Sequence, residues 1–266
     1  TTGKLLPTDV FNQSSYVRWT TNQYEQCCRI SSTRSYFLIP SSGNGTEGTN
    51  YNTTSFGYDQ MGRRNQTTSP GGTITFTVFD ERSLVSAVYV GTDATGATET
   101  DPTGATESDS TGPAESDSPG PPDTDSTEGQ AAGNNMVLVT QNEYDNGVAG
   151  RDGNLTSTWA WVDGSTSRQT EIAYDFRNRQ TSVAGEENAY SETTYDNLNH
   201  PLVRQTRNGS AAAVLLSKSQ TDYDNRGRVY RTTNWAVNPT TGAIGLSLVS
   251  NTWYDAGGNV IKSLPA

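Results

Sequence analysis

The segment Tyr223-Asp224-Asn225-Arg226-Gly227-Arg228 contains the pattern that decides the fold of this 266-residue chain. An aspartate side chain can accept a hydrogen bond from the backbone two residues further on, and glycine adopts positive φ at little cost. Asp224 and Gly227 together therefore predict a tight turn. Tyrosine is typical of β-strands. We predict a strand that ends at Tyr223 and a hairpin turn that follows it.

An aromatic residue followed by an acid recurs at 24–25, 58–59, 79–80, 144–145, 174–175, 195–196, 223–224 and 254–255. Gly or Asn often stands three residues after the acid, and the next residue is often basic. The turn residues that we assign to this motif are Tyr58, Asp59, Gly62, Arg63, Tyr174, Asp175, Asn178, Arg179, Tyr195, Asp196, Asn199, His200, Tyr223, Asp224, Gly227, Arg228, Tyr254, Asp255 and Gly258. Between the turns, segments such as 74–78 alternate polar and apolar residues, which is the period of a half-buried strand. These features predict an all-β fold, a repetitive array of β-hairpins arranged as an open spiral or a stack.

The formal net charge of −11 is concentrated in one segment. Residues 92–133 contain ten acids and no Lys or Arg, whereas the other 224 residues contain 19 acids and 18 bases. An eight-residue unit rich in Thr, Ser, Gly, Pro and acid repeats four times there, and this composition predicts a solvated, extended loop. Without these 42 residues, the spacing of 65 between Phe79 and Tyr144 falls to 23, close to the other spacings. We therefore predict β-hairpins in 1–91 and 134–266, with 92–133 inserted at a hairpin tip.

The composition argues against several classes of function. Nucleic-acid binding needs clustered Lys and Arg, which this chain lacks. The longest aliphatic run, 211–216, is too short to cross a bilayer as a helix. The single histidine, His200, occupies the position that Arg fills in sister turns, so a catalytic triad or a His-based metal site lacks its main member. We predict no enzyme, no cofactor, no metal site, no transmembrane segment and no nucleic-acid partner.

The two cysteines, Cys27 and Cys28, are adjacent and lie in the first motif. Cys28 stands where Gly or Asn stands in other turns, so a tight turn places it in a conformation that is costly for its type. Adjacent cysteines can form a disulfide only through a distorted turn. Two free thiols, a Cys27–Cys28 disulfide and bonds to another chain all remain open.

The motifs at 58–63 and 223–228 resemble the Tyr-Asp-x-x-Gly-Arg core of the YD repeats in rearrangement-hotspot (RHS) proteins. The resemblance extends from Tyr24 to the C-terminus outside the insertion, with two units that carry the full motif and others that are degenerate. It implies spiralling β-sheets that wrap into hollow shells on secreted or cell-surface proteins, some of which enclose a toxin. Family shells use many more repeats than eight. Asp101-Pro102-Thr103-Gly104 matches the letters of the family's self-cleavage motif, but it lies inside the octapeptide array, and we interpret it as a coincidence.

The leading functional prediction is a non-enzymatic structural protein, extracellular or at the cell surface, that acts as a β-repeat scaffold or a self-assembling fibre subunit. An open array has unpaired strands at both ends, so we expect a homo-oligomer joined through the end repeats. One alternative is an excerpt of an RHS-type encapsulating shell. Another is a carbohydrate-binding adhesin that binds glycans through Trp159 and Trp161. N-glycosylation sequons begin at Asn12, Asn44, Asn52, Asn65, Asn154 and Asn208, but chance alone explains about this number, so glycosylation stays open.

Overall fold

The computed structural model describes residues 11–25, 28–103, 134–148, 150–185 and 189–265. In this part of the chain, all regular structure is β-strand apart from two short 3₁₀ turns, Gln13–Ser15 and Asp145–Gly147. The strands are β1 (Thr20–Tyr24), β2 (Ile30–Tyr36), β3 (Tyr51–Tyr58), β4 (Arg64–Thr68), β5 (Ile74–Phe79), β6 (Val85–Gly91), β7 (Val137–Tyr144), β8 (Leu155–Trp161), β9 (Ser167–Tyr174), β10 (Gln180–Gly185), β11 (Ala189–Tyr195), β12 (Pro201–Asn208), β13 (Leu215–Tyr223), β14 (Val229–Val237), β15 (Ile244–Tyr254) and β16 (Val260–Leu264). Within the described residues, no helix has the length and apolar character that a membrane span requires.

The chain divides into two compact units, Thr1–Val139 and Thr140–Ala266. In the first unit, β1 to β6 pair antiparallel in chain order. The second unit has the same arrangement from β7 to β16. Sequential antiparallel pairing makes each pair of neighbouring strands a hairpin, and the predicted all-β array of β-hairpins is confirmed.

Each aromatic–acid pair lies at the end of an odd-numbered strand. Tyr24, Tyr58, Phe79, Tyr144, Tyr174, Tyr195, Tyr223 and Tyr254 are the last residues of β1, β3, β5, β7, β9, β11, β13 and β15. Successive turns of an antiparallel meander alternate between the two ends of the strands. In each unit, the aromatic–acid turns therefore lie at the same end of the sheet.

The first unit contains a small apolar core that is centred on β5. Ile74, Phe76 and Val78 point to the same face because strand residues alternate sides, and all three are buried together with Met136. Ala87 and Tyr89 of β6 pack against this cluster. The core is thin, in line with the low apolar content of the chain, which is 31%.

The beginning of the acidic insertion belongs to this core, which differs from the predicted solvated loop. Ala94 and Ala97 pack against the cluster around Phe76, and the side chain of Pro102 is fully buried. Small Ala and Pro side chains are not recognisable as core residues from composition, yet they fill the space beside a larger apolar cluster. The rest of the octapeptide array, at 104–133, lies outside the described residues.

Two asparagines tie the two ends of the insertion together. Asn135 accepts hydrogen bonds through Oδ1 from the backbone N–H groups of Thr92, at 2.8 Å, and Asp93, at 2.7 Å. The Asn134 amide donates to the carbonyl of Pro102 at 2.8 Å, and its backbone N–H donates to the carbonyl of Thr103 at 3.1 Å. Residues 103 and 134 therefore lie next to each other in the fold.

Candidate functional site: a ladder of turns at one end of the strands

The repeated turns share one backbone geometry, which the turn after β13 illustrates. The N–H of Gly227 donates to the carbonyl of Asp224 at 2.9 Å, and the N–H of Asp224 donates to the carbonyl of Arg228 at 2.9 Å. This is a three-residue hairpin loop that needs a left-handed residue at its last position. Gly227 supplies it with a φ of 75°. The equivalent residues also have positive φ: Cys28, Gly62, Ser83, Asn178, Asn199 and Gly258.

The aspartate carboxylate organises the loop from inside. In this turn, Oδ1 of Asp224 accepts the backbone N–H groups of Arg226 at 2.9 Å and Arg228 at 3.0 Å. Oδ2 accepts Nε–H of Arg228 at 2.7 Å. The turns at Asp59, Asp175 and Asp196 repeat the side-chain pairing, with Arg63, Arg179 and His200 as partners. At Asp255, the partner is the amide of Asn259 at 3.0 Å.

The basic residue of each turn also reaches the next aromatic–acid turn. Nη1 of Arg179 donates to the carbonyl of Asp196 at 2.7 Å, and Arg63 makes the same bond to Asp80 at 2.9 Å. The planar group also covers the next aromatic ring. The guanidinium-to-centroid distances are 4.6 Å for Arg29–Tyr58, 4.7 Å for Arg63–Phe79, 4.7 Å for Arg179–Tyr195 and 4.5 Å for Arg228–Tyr254. His200 stacks on Tyr223 with a centroid distance of 4.4 Å.

The tyrosine hydroxyls complete the connection between turns. In four turns, the hydroxyl donates to the carbonyl of the residue that follows the basic residue of the preceding turn. The bonds are Tyr58 to Ile30 at 2.9 Å, Tyr195 to Gln180 at 2.9 Å, Tyr223 to Pro201 at 3.3 Å and Tyr254 to Val229 at 2.8 Å. Phe79 keeps the ring and lacks the hydroxyl. The repeated turn combines an aromatic residue, an acid and a basic residue at the fifth position counted from the acid. Turns of this kind contact one another within a unit, and we call the series the turn ladder.

One turn departs from the common geometry. Asp145, Asn146 and Gly147 have φ values of 56°, 55° and 73°. The left-handed conformation therefore begins at the acid itself and not three residues later, and the loop is longer. It closes where the N–H of Asp145 donates to the carbonyl of Asn154 at 2.8 Å. The amide of Asn154 then donates to Oδ1 of Asn178 at 2.8 Å. Asn154 thus connects this turn to the next one in place of a basic residue.

In five turns of the ladder, the pKa of the aspartate lies below its ordinary value: Asp59, Asp175, Asp196, Asp224 and Asp255. The side-chain hydrogen bond from Arg228 is the largest cause for Asp224, and with two backbone N–H groups it lowers the pKa to about 2. For Asp175, the hydrogen bond from Arg179 likewise lowers the pKa. Burial raises the pKa of Asp59, but the hydrogen bonds and the charge of Arg63 outweigh it, and the net direction is downward.

We expect the protein to lose stability in acid because of these shifts. A carboxylate whose pKa is lowered by folding stabilises the native state above its unfolded value of 3.8, and this contribution disappears as the pH falls through the folded value. The loss should therefore fall between about pH 4 and pH 2. Urea unfolding at a series of pH values across this window measures it. A midpoint that stays constant from pH 5 to pH 2 would contradict the role of the carboxylates.

His200 is expected to be a weaker connector than arginine. Its ring pairs with Asp196 at 2.9 Å and covers Tyr223, but within the described residues it makes no hydrogen bond to the next turn like the one from Arg179 to the carbonyl of Asp196. The substitution His200→Arg should add a hydrogen bond to the carbonyl of Asp224 and raise the free energy of unfolding by about 0.5–1 kcal/mol. The matched reverse change, Arg179→His, should lower it by a similar amount. Urea unfolding measures both variants. If both substitutions raise the free energy of unfolding, or both lower it, histidine is not a weaker connector than arginine.

Other candidates from the sequence lie outside the ladder. Trp159 and Trp161 are half-buried on one face of β8, and glycan binding through them stays a prediction. Cys28 is exposed, and Cys27 lies outside the described residues, so their redox state stays a prediction. Asn65 is buried, which makes its sequon a poor glycan acceptor. Among the described residues, no group of three or more His, Cys, Asp or Glu side chains could hold a metal ion.

The sequence identified the residues of the ladder but not the contacts between turns. Two signals were present: the basic residue recurs in the same phase as the aromatic residue, and His replaces Arg at one position. Neither specifies which tyrosine a given arginine covers, because that depends on the pairing of strands between them.

Comparison with solved structures finds chains of similar fold. No protein-family model matches the sequence, and no curated protein matches it. The crystal structures of TcdB2-TccC3 and of TcdB2-TccC3-Cdc42 are similar to this chain, each with a TM-score of 0.53 and 12% sequence identity. The similarity covers 92% of this chain and 11% of each of those chains. At this identity, the likeness is one of fold alone.

Proposed function

We propose that this chain forms a stretch of wall in an RHS-type encapsulating shell and has no catalytic role of its own. The observation that carries the proposal is the similarity in fold to TcdB2-TccC3 over 92% of the chain. The YD-type motifs of the sequence support it independently. Because the chain spans about a tenth of the length of those similar chains, the proposed role is that of a wall segment and not of a complete container.

The turn ladder suits a wall. A curved sheet of many strands needs its hairpins held at a constant register, and hydrogen bonds of the ladder connect one hairpin to the next at a fixed spacing. Polar and aromatic contacts also achieve this without a thick apolar core, which a wall one sheet thick cannot provide. Secretion or a cell-surface location is part of the same proposal, since the RHS resemblance implies it.

A self-assembling fibre is the second candidate. Among the described residues, β1 and β16 each pair with a single strand, and apolar side chains such as Ile261 and Leu264 are exposed on β16. Unpaired strands of this kind can bind other chains and generate filaments. This candidate would retain the same ladder within each copy.

Imaging of the particle that contains this chain, purified from its source and located with an antibody, distinguishes the two. A hollow shell is expected, with its cargo resistant to protease until the particle is disrupted. A solid filament would replace the shell proposal with the fibre. A monomer that encloses nothing would contradict both.

A further inference from the structure

The turn ladder is incomplete at β1. Tyr24 ends this strand, as the other ladder aromatics end theirs, but 60% of its surface is exposed, and Tyr58, Phe79, Tyr195, Tyr223 and Tyr254 are all half-buried. Among the described residues, no guanidinium or imidazole covers the ring of Tyr24, and its hydroxyl has no carbonyl partner. In the described part of this turn, Glu25 takes the place of Asp and pairs with Arg29, whose guanidinium lies 4.6 Å from the ring centroid of Tyr58.

We infer that the free edge of β1 is a binding site for a β-hairpin whose turn carries Arg or His at its fifth position. This inference rests on the proposed function, because it treats the neighbour as a further YD-type unit. The partner would supply a cationic plane over Tyr24 and a main-chain carbonyl to its hydroxyl. Both contacts reproduce those that the structure shows at Tyr58, Tyr195, Tyr223 and Tyr254.

The phase of the strands agrees with this partner. In the ladder, a basic residue stands just before an even-numbered strand, and the aromatic residue it covers ends the following odd-numbered strand. β1 is odd-numbered and its open edge has no partner among the described residues. A partner strand that directly follows a YD-type turn can lie antiparallel to β1. The basic residue of that turn, at the fifth position counted from the acid, then lies next to Tyr24.

The last turn of this chain does not meet the requirement. Its fifth residue is Asn259, whose amide is held by Asp255 at 3.0 Å and which has no cationic group to reach a further ring. Unlike the amide of Asn154, which reaches Asn178, the amide of Asn259 is held within its own turn. A unit with Arg or His at this position completes β1, whereas the C-terminal turn of a second copy of this chain does not. Head-to-tail assembly of identical copies is accordingly disfavoured at this contact.

The substitution Asn259→Arg gives the last turn of the full chain a cationic side chain, so that a second copy can serve as the binding partner of β1. Sedimentation velocity in a reducing buffer, which excludes disulfides through Cys27 and Cys28, compares the self-association of the variant with that of the natural chain. We expect association roughly tenfold tighter for the variant, given the strength of a partly desolvated cation–aromatic contact. Adding Tyr24→Ala should remove the whole increase, and circular dichroism verifies that the fold is retained.

Two matched controls isolate the contact. Asn259→Ala removes the amide without adding a cation and should leave association at the natural level. Tyr230→Ala removes an exposed tyrosine outside the ladder and should preserve the increase caused by Asn259→Arg. The inference is overturned if Asn259→Arg does not tighten association, or if the increase persists without Tyr24. Particle imaging can fail independently of this result, so failure of the shell proposal and failure of the edge site are distinguishable.

Discussion

Replacing Asp59 with alanine is expected to lower the free energy of unfolding by about 3 kcal/mol, because it breaks a buried ion pair from one side. Asp59 is only 4% exposed. Its Oδ1 accepts the backbone N–H of Arg63 at 2.8 Å, and Oδ2 accepts Nε–H at 2.5 Å. Without the carboxylate, the Arg63 guanidinium stays largely buried over Phe79 with no counter-ion. Urea unfolding measures the change.

Two substitutions give the comparison its control. Asp224→Ala removes the same group where the carboxylate side chain is 24% exposed, against 2% for Asp59, and should have a smaller effect, because water can solvate more of the groups left behind. Asp59→Asn keeps the Oδ1 acceptor of the turn and loses the charge, so it should lie between the natural chain and Asp59→Ala. Equal losses for Asp59→Ala and Asp224→Ala would show that burial of the pair has no bearing on its strength.

Deletion of the acidic insertion should change the free energy of unfolding by different amounts, depending on which residues are removed. Removing 92–133 takes away Ala94, Ala97 and Pro102, and it exposes the apolar cluster around Phe76 to water. We expect a loss of about 3–5 kcal/mol, comparable to the loss of a large buried side chain. Removing only 104–133 leaves this packing and the Asn134 and Asn135 bonds in place.

The shorter deletion should therefore be nearly neutral. The carbonyl of Thr103 and the N–H of Asn134 are 3.1 Å apart, so a Gly-Gly linker can join the two ends without strain. A shorter loop also costs slightly less entropy to close, which predicts a change in unfolding free energy within about 1 kcal/mol of zero. Urea unfolding of both deletion variants provides the measurement. If the longer deletion is as stable as the natural chain, the packing of 92–103 is not a source of stability.

Much of the fold could be predicted from the chain, because its determinants are local. An aspartate with Gly or Asn three positions later specifies a turn, so the ends of β3, β9, β11, β13 and β15 were predictable. The alternation in β5 likewise predicted a strand with one buried face. These signals act within one hairpin and need no knowledge of its neighbours.

What could not be predicted depends on contacts between segments distant in sequence. Pro102 belongs to a low-complexity repeat by composition, yet its side chain is fully buried in the structure. The loop after Tyr144 is longer than its sisters because three successive residues have positive φ, which the motif alone does not predict. The cover of Tyr195 by Arg179 depends on the pairing of β10 with β11, which no local motif contains.

The central claim is that one repeated contact holds each hairpin against the next, and a double-mutant cycle on Arg179 and Tyr195 tests it most directly. Their guanidinium-to-ring distance is 4.7 Å, and both lie in the second unit, between β10 and β11. Unfolding free energies of Arg179→Ala, Tyr195→Ala and the double variant should give a coupling energy of about 1 kcal/mol. Strictly additive effects, with a coupling indistinguishable from zero, would contradict the ladder as the element that connects the hairpins.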